Sequence, residues 1–185
     1  ALLHHDKTTP LPFETMAGVV TATFEKDGNV TVNLTNPHSM QLFVLNADPT
    51  VGADVHFLNT GVPHAVAFLD KLEGLDISRL GAYLRYHEAF SPKGTNANFA
   101  RILSPGHIAI RTYERGVEDE TLACGTGMTA CALLHAVLTD APSPIQVDVA
   151  GGDTLKVGFQ RTGDRFTDVT LTGPADLVFT GDIQI

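Results

Sequence analysis

The run Cys124-Gly125-Thr126-Gly127-Met128-Thr129-Ala130-Cys131-Ala132-Leu133-Leu134-His135-Ala136-Val137-Leu138 decides how this chain folds. From Met128 to Leu138 it is apolar on nearly every side. A helix of that kind belongs in the middle of a core, not on a surface. Strand-like runs lie on both sides of it, so the expected class is α+β, with strands wrapped around one buried helix.

Working outward, residues 19–24 and 30–34 alternate in character around Lys26-Asp27-Gly28-Asn29, a strong hairpin signal. Residues 55–58 read as a strand that ends at Thr60-Gly61-Val62-Pro63-His64. The short apolar run 65–69 reads as either a buried strand or a helical turn. From 76 to 87 the spacing becomes helical, with Asp76 as N-cap and Leu80, Tyr83, Leu84 and His87 on one face. Gly94-Thr95-Asn96-Ala97-Asn98-Phe99 reads as a polar loop entering a strand. Residues 108–113 form a strand, 145–149 and 155–159 form a hairpin around Gly151-Gly152-Asp153, and 166–171 and 177–185 supply the last strands. A soft boundary falls near Asn46-Ala-Asp-Pro49-Thr50.

The 185 residues suffice for one large domain or two small ones. A net charge of -9 with no basic stripe argues against non-specific nucleic-acid binding. No apolar run is long enough to span a bilayer. Ala1-Leu2-Leu3 is too short for a signal-peptide core before His4, His5 and Asp6. The expected compartment is therefore cytoplasmic, with no membrane or nucleic-acid partner. Ala1 is not an initiator methionine, and residues 1–5 read like the tail of an apolar helix, as in a fragment or a processed product.

The two cysteines, Cys124 and Cys131, stand seven residues apart. On a helix that is roughly 10 Å, too far for a disulfide, so both are expected as free thiols. Of the eight histidines, none forms a His-x-His or His-x-x-x-His pair, so no metal site is expected. Cys131, within the apolar helix, reads as core.

Cys124 stands where the helix begins. Unpaired N–H groups and the positive end of the helix dipole favour a thiolate there, and such placement brings a thiol pKa from ~8.5 to between about 3.5 and 7.5. Gly125 and Gly127 leave room for a carboxylate to reach those N–H groups, and Thr126 adds a hydroxyl. Glu114 and Arg115 alternate on a strand, yet Gly116 suggests that the strand ends there. A bend would let Arg115 grip a carboxylate while Glu114 receives an ammonium. His64 stands ready to orient or activate the thiol. The Asn96 amide either reads a substrate group or forms a local turn.

These segments resemble the diaminopimelate epimerases, enzymes of bacterial lysine and peptidoglycan-precursor synthesis. The matching stretches are Gly61-Val-Pro-His64, Gly94-Thr-Asn-Ala-Asn-Phe99, Tyr113-Glu-Arg-Gly-Val-Glu-Asp-Glu-Thr-Leu-Ala-Cys-Gly-Thr-Gly127, Gly151-Gly152 and the closing Gly181-Asp-Ile-Gln-Ile185. The resemblance implies two pseudo-symmetric domains, each a strand barrel around a central helix, with the site in the cleft between them. It implies cofactor-independent interconversion of LL- and meso-diaminopimelate by two cysteines. One removes the Cα proton and the other returns a proton on the opposite face. Carried over by motif, Cys124, Glu114 and His64 are the catalytic residues. Asn96, Glu114, Arg115, Gly125 and Thr126 hold the substrate.

Two departures stand out. The family's second cysteine lies in a Cys-Gly-Asn-Gly motif that this sequence lacks, and some members have asparagine where Val62 stands. The resemblance thus implies the later two-thirds of the enzyme, with the second cysteine supplied by a preceding segment or a partner. Residues 1–50 would finish the first domain, 51–173 would form the second, and 174–185 would be a final strand returning to the first. A homodimer is left open. The alternatives are a non-catalytic amino-acid-binding or assembly remnant, a related racemase or isomerase of the same fold, and a one-base cysteine enzyme using Cys124 with His64.

Overall fold

Two apolar clusters organise this chain. The computed structural model describes residues 8–15, 18–176 and 178–182. Its strands are β1 (Leu11–Thr15), β2 (Gly18–Phe24), β3 (Val30–Asn33), β4 (His38–Asp48), β5 (Ala53–Asn59), β6 (Pro63–Phe68), β7 (Asn96–Ser104), β8 (His107–Glu114), β9 (Asp119–Thr121), β10 (Ile145–Asp148), β11 (Thr154–Thr162) and β12 (Arg165–Gly173). The helices are α1 (Ile77–Arg85) and α2 (Gly125–Thr139).

Among the described residues the strands form one mixed sheet in the order β1-β2-β3-β12-β11-β10-β8-β7-β6-β5-β4, with β9 paired to β8. The β6–β7 and β8–β10 pairs are parallel and the others antiparallel. Helix α2 touches β5, β6, β7, β8, β10, β11 and β12, so a continuous band of neighbouring strands curls around it. Every residue from Gly127 to Ala136 is buried, as a helix with no polar face requires. The α+β expectation of strands around a central helix is met.

The strands β6, β7 and β8 are covered on both faces, and period-2 alternation sorts their side chains. Val66, Ala100, Ile108 and Ile110 pack inward with Met128, Leu133 and Leu134 of α2. Ala65, Ala67, Ala97, Phe99 and Tyr113 pack outward with Ile77, Leu80 and Leu84 of α1. Helix α1 starts where expected, with the Asp76 carboxylate accepting from Arg79 N at 3.1 Å. It stops at Arg85, short of His87, whose ring instead accepts from Ala89 N and opens a 3-10 turn over Glu88–Phe90.

Other expectations shift in detail. Residues 65–69 are mostly strand β6. Asn96–Phe99, expected as loop, is already strand β7, in register with His64 onward. Strand β4 runs into the expected soft boundary and ends there at Asp48, where a turn over residues 49–52 follows. The closing strand expected over 177–185 falls partly outside the described residues, and 178–182 carry no strand. The helix-tail reading of residues 1–5 also lies outside them.

Candidate active site

At one end of the strand band the inward-facing row changes from apolar to polar. Continuing inward from Val66, Ala100 and Ile110 by two residues gives His64, Asn98 and Thr112. Two more give Asn96 and Glu114. Register places His64 beside Asn96 and Asn98 beside Thr112. The N-terminus of α2 meets this end: a side chain at Gly127 would come within 2.5 Å of Asn98 Oδ1 and 3.3 Å of Cys124 Sγ. Only glycine allows that approach. Thr60 Oγ1 donates to Thr126 O at 3.0 Å and ties the β5–β6 turn to the same helix end.

Cys124 is the N-cap of α2 in an extended conformation, and its C=O accepts the first helical bond from Met128 N at 2.8 Å. The N–H groups of Gly125, Thr126 and Gly127 precede that bond, the usual anion-binding arrangement. The thiol lies 3.6 Å from Thr126 Oγ1. Burial pushes its pKa above the ordinary thiol value, and the Glu114 carboxylate adds to this; the Thr126 hydroxyl and the N–H groups of Gly127 and Thr126 act the other way. The expected thiolate is thus corrected to a resting thiol, because desolvation by the surrounding strands outweighs the helix terminus.

Strand β8 ends at Glu114, as Gly116 suggested, and Gly116 takes φ +100° in the turn. Glu114 Oε2 accepts from Thr121 Oγ1 at 3.0 Å. Arg115 N donates to Asn96 Oδ1 at 2.8 Å, and its guanidinium reaches Lys93 O at 3.3 Å. Among the described residues Glu114 and Arg115 form no ion pair with each other. The turn is held from beneath by Glu118, which accepts from Gly116 N, Arg85 and Tyr86 at 3.1 Å each. Arg111 and Glu120 form a two-pronged pair at 2.7 and 2.6 Å that clamps β9 to β8.

His64 is fully buried. Its Nδ1 lies 3.2 Å from Asn98 Nδ2, and its Nε2 has no hydrogen-bond partner among the described residues. Burial, reinforced by the Arg115 charge, pushes its pKa down to about 3. It is therefore neutral at physiological pH and makes no hydrogen bond to Cys124. Asn96 spends its amide on structure, donating to Pro63 O at 2.8 Å while accepting from Arg115 N. One amide N–H remains for another acceptor.

The structure thus gathers Cys124, His64, Asn96, Glu114, Gly125 and Thr126 at one end of the band. Arg115 lies at its edge and lines a cavity of about 410 Å³ with Lys93, Asn59, Gly61 and Pro63. Cys131 is wholly buried, and burial drives its thiol pKa strongly upward. Asn98, Thr112 and Thr121 were not singled out from sequence. Their signal was the spacing of two between Asn96 and Asn98, which places both on one face once the segment is strand.

The model of the family described as diaminopimelate epimerase matches residues 56–178. A diaminopimelate epimerase from Aquifex aeolicus is 42% identical over 174 residues, covering 93% of this chain and 61% of the relative. One from Chlorobaculum tepidum is 45% identical over 131 residues, covering 70% of this chain and 50% of the relative. Among solved structures, a hydroxyproline epimerase from Agrobacterium vitis with bound trans-4-hydroxy-L-proline superposes with a TM-score of 0.66 at 20% identity, covering 94% of this chain and 59% of that one. A phenazine biosynthesis protein from Bacillus anthracis gives 0.64 at 12%, covering 89% and 65%. These two likenesses show the fold. The chain spans about 60% of the length of the Aquifex aeolicus relative. By the family match and the identity over most of its length, this chain belongs to the diaminopimelate epimerase family.

Proposed function

We propose that this chain takes part in the interconversion of LL- and meso-diaminopimelate, with Cys124 as one of two proton carriers at Cα. The observation that carries the reading is Cys124 at the α2 N-terminus, with the first-turn N–H groups of Gly125, Thr126 and Gly127 beside it and Glu114 within electrostatic reach. In the step proposed, a base takes the Cα proton and the bond's electron pair flows into the adjacent carboxylate. The helix N–H groups stabilise that charge. A thiol on the opposite face then delivers a proton to carbon. Cys124, protonated at rest, suits the delivering role; the thiolate left once it has delivered its proton is the accepting form for the reverse direction.

Diaminopimelate carries a second amino-acid centre. In this reading Arg115 and Lys93, lining the neighbouring cavity, receive its carboxylate, while Glu114 and Asn96 serve its polar groups. Cys131 is buried two turns along α2 and does not fit the second carrier. That group is assigned to a segment or partner chain beyond these 185 residues. Residues 51–173 are proposed as one domain of the enzyme, with 1–50 and 174–185 associated with the other. A cytoplasmic setting belongs to the same proposal; no helix among the described residues is long and apolar enough to cross a membrane.

The one-base alternative with His64 activating Cys124 is disfavoured, because no hydrogen bond joins them. A binding remnant would retain the carboxylate site without turnover. Alkylation of Cys124 by iodoacetamide tests occupancy. Diaminopimelate is expected to slow labelling, and lysine, lacking the second carboxylate, to do so far less. Labelling indifferent to diaminopimelate would sink the proposal.

A further inference from the structure

We propose that Asn98 fixes His64 as the neutral imidazole protonated on Nε2, so that His64 serves the site as a hydrogen-bond donor and not as a proton-accepting base. The Asn98 side chain is fully buried. Its Nδ2 lies 3.0 Å from Ala65 O and 3.2 Å from His64 Nδ1, and its Oδ1 receives the Thr112 hydroxyl at 3.0 Å.

A backbone carbonyl can only accept. The amide must therefore turn its NH₂ toward Ala65, since the flipped orientation would set two oxygens against each other. With that orientation fixed, Asn98 Nδ2 also faces His64 Nδ1. Its second N–H needs an acceptor there, so Nδ1 is bare and the ring proton sits on Nε2. Thr112 locks the other end of the amide. Each of these side chains is almost wholly buried.

The Nε2–H left by this arrangement is buried and unpaired among the described residues. Buried donors are nearly always paired. This one therefore stands ready for an acceptor atom that enters the site. It also bars Nε2 from taking a proton from a thiol, which excludes His64 as the group that deprotonates Cys124.

The test is a long-range proton–nitrogen correlation spectrum of protein labelled with ¹⁵N-histidine, with His64 assigned by its disappearance in His64→Gln. The wild-type chain is expected to show His64 with a proton on Nε2 and none on Nδ1 across neutral pH. In Asn98→Asp the carboxylate can only accept from Nδ1, so the proton pattern is expected to move to Nδ1–H or to the charged ring. A wild-type ring protonated on Nδ1, or an Asn98→Asp ring unchanged from wild type, would overturn the assignment. The catalytic consequence rests on the epimerase reading: Asn98→Asp should lower the rate of Cα exchange on the order of 10²-fold or more, the scale of a group that acts on proton transfer. A wild-type chain with the Nε2–H tautomer but no exchange would count against that reading and leave the Asn98 assignment standing.

Discussion

Two opposing influences meet at the Cys124 sulfur: a helix terminus that favours the thiolate and a buried setting that resists it, with burial prevailing. The alkylation rate of Cys124 should therefore rise with pH through a midpoint above the ordinary thiol value. Thr126→Val should move that midpoint higher still, because it removes a hydroxyl that favours the thiolate. A midpoint at or below the ordinary value would mean that the terminal N–H groups dominate. Gly127→Ala makes a separate test, since its new methyl would press on Asn98 Oδ1 and the Cys124 sulfur. Expected is a loss of diaminopimelate protection at Cys124 with α2 still formed by circular dichroism. Cys124, Gly125 and Thr126 were legible in the sequence because a thiol among small residues before an apolar run is a local pattern. The direction of the thiol's pKa shift was not, because burial is imposed by strands far away in the chain. Asn98 was hidden for the same reason: as part of a loop its neighbour at Asn96 says nothing, and only pairing with β6 and β8 gives it partners.

Helix α1 shows what an element contributes. Its Asp76 cap was readable from sequence, and Asp76→Ala should cost about 1 kcal/mol in a urea unfolding curve. Gly81 was not readable: its α carbon lies so close to Tyr113 that an added methyl would overlap that side chain. Alanine normally stabilises a helix by about 1 kcal/mol over glycine. Here the overlap should reverse the sign, with Gly81→Ala destabilising by roughly 1–3 kcal/mol. Strand β4 escaped the sequence reading because bulges interrupt its pairing with β5, and Ser39, Phe43 and Ala47 all take positive φ. A strand bent that often no longer alternates with period 2. Strand β9 escaped because it is three residues long and is secured by the Arg111–Glu120 pair, which spacing alone does not reveal. By contrast β2 and β3 announced themselves by alternation, and α2 by having no polar face.

At the scale of the molecule, burial lowers the pKa of three histidines among the described residues: His56, against an opposing effect from Asp54, His64 and His135. Each folded-state pKa lies below its unfolded value of about 6.5, so the unfolded chain binds more protons as acid is added. Stability should be fully present above that pH and fall below it, with the His64 contribution continuing down to about 3. His135, against Phe68 in the core, offers the cleanest check. His135→Leu should flatten the decline in urea midpoint between about pH 7 and pH 5; an equally steep decline would remove His135 from the cause. The global architecture was legible because one buried helix demands a wall of strands, whereas the way β6, β7 and β8 serve both clusters at once emerges only from their pairing.

The role proposed for Cys124 is proton exchange with Cα of diaminopimelate. It is tested by deuterium incorporation at Cα of LL- and meso-diaminopimelate in D₂O, comparing wild type with Cys124→Ala, each joined by the segment or partner proposed to supply the second carrier. Incorporation by the wild type that falls on the order of 10²-fold or more in the variant is the expected result. Incorporation undiminished in Cys124→Ala, or a wild type that binds diaminopimelate and exchanges nothing, would contradict it.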